Sequence, residues 1–313
     1  MTRAFIFPGQ GSQAVGMGTE LAESFATARY VFEEVDDALE QRLFRLMTEG
    51  PESDLTLTAN AQPAIMAVSL AVSRVLEEQG GFELAGKGAF VAGHSLGEYS
   101  ALAAAGALET AQAARLLRIR GEAMQAAVPV GEGAMAALMG LDMETVRGLA
   151  GEAAQGEVCA PANDNAPGQI VVSGHTGAVE RAIELAKAKG AKRAMKLAVS
   201  APFHCSLMRP AADTMGQALA ETTIARPGLP VVANVTARPE SDPAAIRQRL
   251  VEQVTAPVRW RESMQHLRGQ GVETLVELGA GKVLSGLARR IDREFQAVSI
   301  GGPRDIEAFL EAL

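Results

Sequence analysis

Apolar residues along the chain form short continuous runs that are separated by longer stretches with helical spacing. The runs AFIFP (4–8), GAFVAG (88–93), VVANV (231–235) and ETLVEL (273–278) are typical of buried strands. Helical spacing predicts helices up to about residue 79, at 97–106, 111–127, 205–221, 244–254 and 260–269, and from about 282. Strands that alternate with helices predict an α/β domain with a mainly parallel sheet.

The middle of the chain has a different order of elements. Strand patterns at 135–140, 158–161, 169–174 and 192–199, with helical patterns after the first and the third, give β-α-β-β-α-β. This order is that of a ferredoxin-like unit. We therefore expect a small ferredoxin-like subdomain at 128–198, inserted into a discontinuous large domain of residues 1–127 and 199–313.

Composition narrows the class of protein. The 313 residues are 48% hydrophobic, which is enough for a sizeable core. A net charge of -8 argues against extended nucleic-acid binding, which needs a basic surface. Because the chain has only two cysteines and no long apolar segment, we expect a cytoplasmic protein without disulfides or membrane spans. We also expect the protein to be a monomer.

A candidate nucleophile lies in the sequence VAGHSLGEYSALAAAG (91–106). Gly93, Ser95 and Gly97 form G-x-S-x-G between a predicted strand and a predicted helix, the context of a nucleophile elbow in α/β-hydrolase-like domains. Glycines allow the close backbone approach of this turn. The five-residue pattern alone is weak, since any turn rich in Gly and Ser can produce it.

A serine nucleophile needs a base, and the chain contains four histidines. His204, in the loop sequence SAPFHCSLM, is the preferred candidate. His94 is expected to point elsewhere on the turn, and His175 and His266 are expected to be structural. Cys205 adjoins His204, but adjacent side chains rarely meet, so a packing role is expected for it.

Arg120 interrupts an apolar stripe on the predicted helix at 111–127. Ala113, Leu117 and Met124 share this stripe, whereas Arg115, Arg118 and Glu122 are expected to face solvent. A buried guanidinium needs a partner, which is either a protein carboxylate or a substrate carboxylate. The sequence does not decide between them.

Seven segments together resemble the malonyl-CoA:acyl carrier protein transacylases, acyltransferases of fatty acid and polyketide synthesis. The segments run from end to end in the family's order: FPGQGSQ (7–13), GHSLGEYSAL (93–102), RGEAMQ (120–125), GAMAAL (133–138), NAPGQIVVSG (165–174), SAPFHCSLMRPAA (200–212) and APVRW (256–260). The glycine-rich turn after the first strand could by its pattern be a dinucleotide-binding loop. The resemblance instead identifies it as the loop that contributes to the oxyanion hole. It implies no cofactor and no metal.

The resemblance implies a role for individual residues. Ser95 corresponds to the nucleophile, His204 to the base and Arg120 to the residue that holds the malonyl carboxylate. The remaining correspondences are the backbone N–H groups of Gln10 and Leu96 as the oxyanion hole, the backbone carbonyl of Gln253 as the group that orients the base, and Gln62 and Phe203 as residues that line the site.

Malonyl-CoA and acyl carrier protein are the implied partners, with a malonyl-serine intermediate. Alternatives are a stand-alone polyketide-type acyltransferase, a serine thioesterase or hydrolase of related fold, and a non-catalytic carrier-binding module. Because the carrier proteins of this family are acidic, we expect docking on a local basic cluster. Two clusters are candidates: Lys187, Lys189, Lys192, Arg193 and Lys196, and Arg289, Arg290 and Arg293.

Overall fold

The computed structural model of the protein describes residues 2–313. Its strands are β1 (Arg3–Phe7), β2 (Phe90–Gly93), β3 (Gly133–Met139), β4 (Cys159–Ala166), β5 (Gln169–His175), β6 (Arg193–Lys196), β7 (Val231–Ala233), β8 (Arg238–Glu240), β9 (Thr274–Leu278) and β10 (Gln296–Ile300). Its helices are α1 (Thr19–Ser24), α2 (Ala26–Leu39), α3 (Leu43–Glu49), α4 (Glu52–Thr56), α5 (Thr58–Gly80), α6 (Gly97–Ala104), α7 (Thr110–Ala126), α8 (Met143–Ala154), α9 (Thr176–Ala188), α10 (Arg209–Glu221), α11 (Pro243–Thr255), α12 (Trp260–Gly269), α13 (Val283–Ile291) and α14 (Pro303–Glu311).

The larger sheet has six strands in the order β10-β9-β1-β2-β7-β8. All neighbours pair in parallel except β7 and β8, which are antiparallel. The inner strand β1 is almost wholly apolar and buried, as expected for a parallel strand covered on both faces. The predicted α/β-hydrolase-like class with a mainly parallel sheet is confirmed.

Helices α5 and α7 pack closely beside this sheet, and a glycine allows their approach. A Cβ atom at Gly121 would lie 2.6 Å from the Cα of Ala59 and 2.7 Å from the carbonyl oxygen of Thr58. Any other residue would push the two helices apart. The close crossing brings Arg120, next to Gly121 on α7, against Gln62 on α5.

The smaller sheet has the order β4-β5-β3-β6 and is antiparallel throughout. Helices α8 and α9 cover one face through a separate apolar cluster that includes Leu138, Val146 and Val172. This order and the two helices are those of a ferredoxin-like unit. All its elements fall within residues 133–196, inside the segment 128–198 that the sequence indicates.

Strand β4 contacts the large domain through hydrogen bonds and an ion pair, which connect the small subdomain to it. The backbone of Val258 donates to Ala162 and accepts from Asp164, both at 2.9 Å. The Asp164 carboxylate also accepts hydrogen bonds from Arg261 on α12, at 3.0 Å from Nε and 2.7 Å from Nη2. A bidentate pair of this kind fixes orientation as well as distance.

Several elements differ from the sequence prediction. Strand β4 extends to Ala166, well beyond the predicted end at residue 161. The prediction stopped short because Asn163 and Asp164 are polar residues that are buried against the large domain, and they interrupt the apolar pattern of a strand. Strands β8 and β10 and helix α14 were not predicted; the strands have only three and five residues and lie at the sheet edges. Among residues 2–313, we find no helix with the length and apolar character needed to span a bilayer.

The turn between β2 and α6 depends on backbone contacts that only glycine permits. A Cβ atom at Gly97 would lie 2.3 Å from the carbonyl oxygen of Phe7, so we expect Gly97→Ala to lower the free energy of unfolding by about 3 kcal/mol or more. Gly148→Ala, on an exposed turn of α8 with open space around it, is the matched control and should be neutral or stabilising. Urea denaturation of both variants measures the difference; equal stabilities would contradict the steric argument.

Candidate active site

Ser95 lies at the tip of a sharp turn between β2 and α6. Its φ is 54°, a left-handed conformation that is uncommon for residues other than glycine. A Cβ atom at Gly93 would lie 1.8 Å from the carbonyl oxygen of Gly97, so the turn closes only with glycine at that position. Close backbone packing at this turn is therefore the physical reason why the predicted elbow needs the sequence G-x-S-x-G.

His204 is hydrogen bonded to Ser95. The Ser95 Oγ lies 2.8 Å from His204 Nε2, and His204 Nδ1 lies 2.9 Å from the backbone carbonyl oxygen of Gln253. A carbonyl only accepts, so Nδ1 carries the proton and Nε2 is free to accept the serine proton. The structure thus brings these three predicted residues together, with a carbonyl in the place of the acid of a triad.

The environment of His204 keeps its ring neutral. Burial, with the positive charge of Arg120 beside it, lowers the pKa of His204 to about 3. Near pH 7 the imidazole is therefore unprotonated and able to act as a base. His204 also has a positive φ, of 58°, so nucleophile and base both sit in strained backbone positions that the fold imposes.

Arg120 is the charged residue beside Ser95 and His204, and only 1% of its surface is exposed. Its guanidinium donates to Gln62 Oε1 and to Gln253 Oε1, both at 2.8 Å, and Nη2 lies 3.2 Å from Ser95 Oγ. No carboxylate oxygen of residues 2–313 lies within 4.0 Å of it, and its Nε has no acceptor among them. A buried charge that bonds only uncharged groups favours an anionic ligand.

The predicted oxyanion donors flank Ser95. A Cβ atom at Gly9 would lie 2.7 Å from the carbonyl oxygen of His94, so the loop that carries Gln10 touches the elbow. Among the described residues, the backbone N–H groups of Gln10 and Leu96 have no acceptor. Leu96 is also the N-cap residue of α6, where the helix dipole favours negative charge. Free N–H groups of this kind suit a developing oxyanion.

A cavity of about 350 Å³ opens onto these groups. Its wall combines polar residues of the large domain with apolar residues of the small subdomain, among them Met135, Val171 and Leu197. Of the predicted site residues, the cavity is lined by Gln10, Gln62, Ser95, Arg120, Phe203 and His204. The site therefore lies between the two parts of the chain, with the small sheet as its cover.

The other histidines and Cys205 take different places. His94 lines the cavity, where its Nε2 lies 2.8 Å from Asn165 Oδ1, so it contacts the small subdomain and not Ser95. His175 precedes α9 and His266 bonds Arg238, both away from the cavity. Cys205 is buried, its Sγ donates to the Pro202 carbonyl, and burial raises the pKa of its thiol.

Two residues of the site were not predicted, and one expectation for helix α7 is wrong. Asn234, which follows β7, accepts from the Ser95 N–H at 2.8 Å and donates to the Gly93 carbonyl at 2.7 Å. Glu98 accepts from the side chain of Gln253 at 2.8 Å. Arg118, expected on a solvent face, is half-buried and bonds Asn60 and Gln41, so that expectation is wrong. The sequence signal that could have indicated Glu98 is an acidic residue in GEYSAL, three residues after the elbow serine.

Chemically, the arrangement supports attack of Ser95 on an acyl carbonyl. His204 removes the serine proton, two N–H groups face the developing oxyanion, and Arg120 offers a positive charge to an acyl group that ends in a carboxylate. Among residues 2–313, no group of three His, Cys, Asp or Glu side chains is placed to hold a metal ion.

Comparison with known proteins places this site in a family. Residues 4–299 match the model described as acyl transferase domain. The malonyl CoA-acyl carrier protein transacylase of Escherichia coli K12 is 47% identical over 308 residues, which cover 98% of each chain. The crystal structure of acyl-carrier-protein-S-malonyltransferase from Bartonella henselae is 56% identical, with a TM-score of 0.98 over 100% of this chain and 99% of that one.

A further solved structure contains a partner. It is a malonyl-transacylase in complex with a type II polyketide synthase acyl-carrier protein; it is 44% identical, with a TM-score of 0.97 over 100% of both chains. The agreement extends over the whole sequence and the whole fold, including both sheets. The chain belongs to the acyl transferase family, and within it to the malonyl-CoA:acyl carrier protein transacylases.

Proposed function

We propose that this protein transfers the malonyl group from malonyl-CoA to the phosphopantetheine thiol of an acyl carrier protein. The observation that carries the proposal is the buried guanidinium of Arg120, 3.2 Å from the Oγ of Ser95 and without a carboxylate partner. Relatives over the full length of the chain are named for this activity.

The reaction proceeds in two half-reactions at the same serine. The proton of Ser95 Oγ passes to His204 Nε2 as Oγ attacks the thioester carbonyl, and the backbone N–H groups of Gln10 and Leu96 stabilise the oxyanion. One such donor is worth about 3 kcal/mol in a serine protease. The C–S bond then breaks, and His204 returns the proton to the CoA sulfur. The carrier thiol reverses these steps on the malonyl ester.

Cofactor, oligomeric state and location are part of the proposal. The two half-reactions balance in atoms and electrons without a cofactor. All groups named in the mechanism come from one chain, which supports a monomer as the active unit. We propose that the protein works in the cytoplasm, on soluble substrates.

Intact mass measurement tests the activity directly. Malonyl-CoA should add one malonyl group to the protein, and an added carrier protein should remove it and gain the same mass. A serine hydrolase or thioesterase would instead release free malonate without a carrier, and a carrier-binding module would form no adduct.

Ser95→Ala should abolish the adduct while leaving the thermal unfolding temperature nearly unchanged, because the hydroxyl contributes little to packing. Cys205→Ala is the matched control and should still form the adduct, since the Cys205 thiol is buried and its pKa is raised. An adduct that persists in Ser95→Ala and disappears in Cys205→Ala would move the nucleophile to the cysteine.

Arg120→Ala should lower kcat/KM for malonyl-CoA by about 100-fold, the loss typical of truncating one partner of a buried charge pair. Acetyl-CoA presents no carboxylate, so its loading should fall much less. Arg115→Ala, on the exposed side of α7, is the control. Equal losses for the two thioesters in Arg120→Ala would assign the arginine a purely structural role.

The register of the small sheet brings the two basic clusters together. Arg290 on α13 donates to Gln169 Oε1 at 2.6 Å, Gln169 pairs with Met139, and Met139 pairs with Arg193. Lys187 and Lys196 are already paired with Glu184 and Glu180. We therefore place carrier docking on a basic rim formed by Lys192, Arg193 and Arg290, all exposed.

Reversal of two rim charges, in Arg193→Glu/Arg290→Glu, should raise the KM for the carrier protein about tenfold at low salt. Lys187→Glu/Lys189→Glu, on the same subdomain, is the control and should have little effect. Malonyl loading from CoA should stay unchanged. A parallel loss of loading would assign the rim to the phosphates of CoA instead of the carrier.

A further inference from the structure

Glu98 is a buried carboxylate that the mechanism above does not use. It lies in the first turn of α6, three residues after Ser95, and only 2% of its surface is exposed. It does not line the cavity, so it does not touch an acyl group there. Its Oε2 accepts from the Gln253 side chain at 2.8 Å and from the Asn234 backbone N–H at 3.1 Å.

The contact with Gln253 fixes which end of that amide faces Arg120. Gln253 Nε2 donates to Glu98 and also to the Ser95 carbonyl oxygen, at 3.0 Å. With its nitrogen held by two acceptors, the amide turns its oxygen to Arg120 Nη2, 2.8 Å away. The opposite orientation would set an NH₂ group against a guanidinium, two donors facing each other.

The contact with Asn234 is to its backbone N–H, and it holds a residue whose side-chain amide bonds the elbow. Its side chain accepts from the Ser95 N–H and donates to the Gly93 carbonyl, so it spans the base of the elbow. Glu98 therefore bonds the backbone of Asn234 and the side chain of Gln253, the two residues whose side-chain amides bond the N–H and the carbonyl oxygen of Ser95. One of them, Gln253, also bonds His204 through its carbonyl oxygen.

Glu98 is also the carboxylate that balances Arg120 electrically. The other nearly fully buried carboxylates are engaged elsewhere: Asp164 with Arg261, and Glu277 with backbone N–H groups at the start of α13. Glu98 reaches Arg120 through one shared amide. A hydrogen bond with one charged partner is roughly twice as strong as a neutral one, and the Gln253 amide makes one such bond at each end, to Glu98 and to Arg120.

We propose that Glu98 is a positioning residue for acyl transfer: its charged carboxylate holds the Gln253 amide in the orientation that gives Arg120 an acceptor, and so sets the preference for acyl groups that end in a carboxylate. The proposal rests on the function proposed above. It concerns selectivity and not the chemistry at Ser95, since an acyl group without a carboxylate does not need Arg120.

The charge of Glu98 changes within an accessible pH range. Burial raises the pKa of Glu98 from its ordinary value to about 7, against the opposing effect of its hydrogen bonds and of Arg120. The carboxylate is therefore charged above about pH 7 and neutral below it. Of the neighbouring groups, burial raises the pKa of Tyr99 above its ordinary range and lowers the pKa values of His94 and His204, so all three shifts are directed away from pH 7.

The first test compares malonyl-CoA with acetyl-CoA in Glu98→Gln, with adduct formation at Ser95 followed by intact mass. The ratio of the two kcat/KM values should fall about tenfold, the difference between a charged and a neutral hydrogen-bond acceptor. Glu277→Gln, which neutralises another buried carboxylate that bonds backbone N–H groups at the start of α13, should leave the ratio unchanged. An unchanged ratio in Glu98→Gln, or equal losses for both thioesters, overturns the proposal.

The second test uses the unaltered protein and does not depend on the folding of any variant. The same ratio should fall about fivefold from about pH 8 to about pH 6, as Glu98 gains its proton. Both substrates carry the same CoA phosphates, so their ionisation cancels in the ratio. A ratio that stays constant over this range overturns the proposal. Failure of the proposed function looks different, because malonyl-CoA would then form no adduct at any pH.

Discussion

A positive charge buried without a bonded carboxylate is the constraint around which the site is organised. Removing a guanidinium from water costs several kcal/mol unless hydrogen bonds and a counter-charge offset it. Gln62 and Gln253 accept its hydrogen bonds, and the carboxylate of Glu98 lies at the other end of the Gln253 amide. The protein thus keeps Arg120 oriented while leaving it available to an anionic acyl group.

The same charge acts on the rest of the catalytic apparatus. Together with burial, Arg120 lowers the pKa of His204, so the ring stays neutral and can accept the proton of Ser95. Because Nη2 also approaches Ser95 Oγ, selectivity and nucleophilic attack occur within one hydrogen-bonded unit. Loss of one member therefore affects the others, and effects of substitutions at Arg120, Gln253 and Glu98 are expected to be non-additive.

Backbone geometry provides the rigid frame for this unit. Gly93 and Gly97 let β2 turn directly into α6, and Gly9 lets the loop with Gln10 touch the turn. Gly121 lets α7 approach α5, which places Arg120 against Gln62. The small subdomain closes the cavity and is fixed by the bidentate pair of Asp164 and Arg261. Sites on rigid elements hold reacting groups within the narrow tolerance that catalysis needs.

The sequence by itself determined the fold class, because hydrophobic period is a local signal. Turn glycines and an arginine on an apolar stripe singled out Ser95 and Arg120 as candidates, whereas the choice of His204 depended on its loop position and on the family resemblance. The sequence left open whether Arg120 faces a protein carboxylate, and it did not reveal Asn234 or Glu98. Those answers depend on contacts between residues more than 130 positions apart, such as Glu98 with Asn234 and with Gln253. Only the tertiary structure brings such residues together, since β7 and α11 reach the elbow through the packing of the large domain and not through any local pattern.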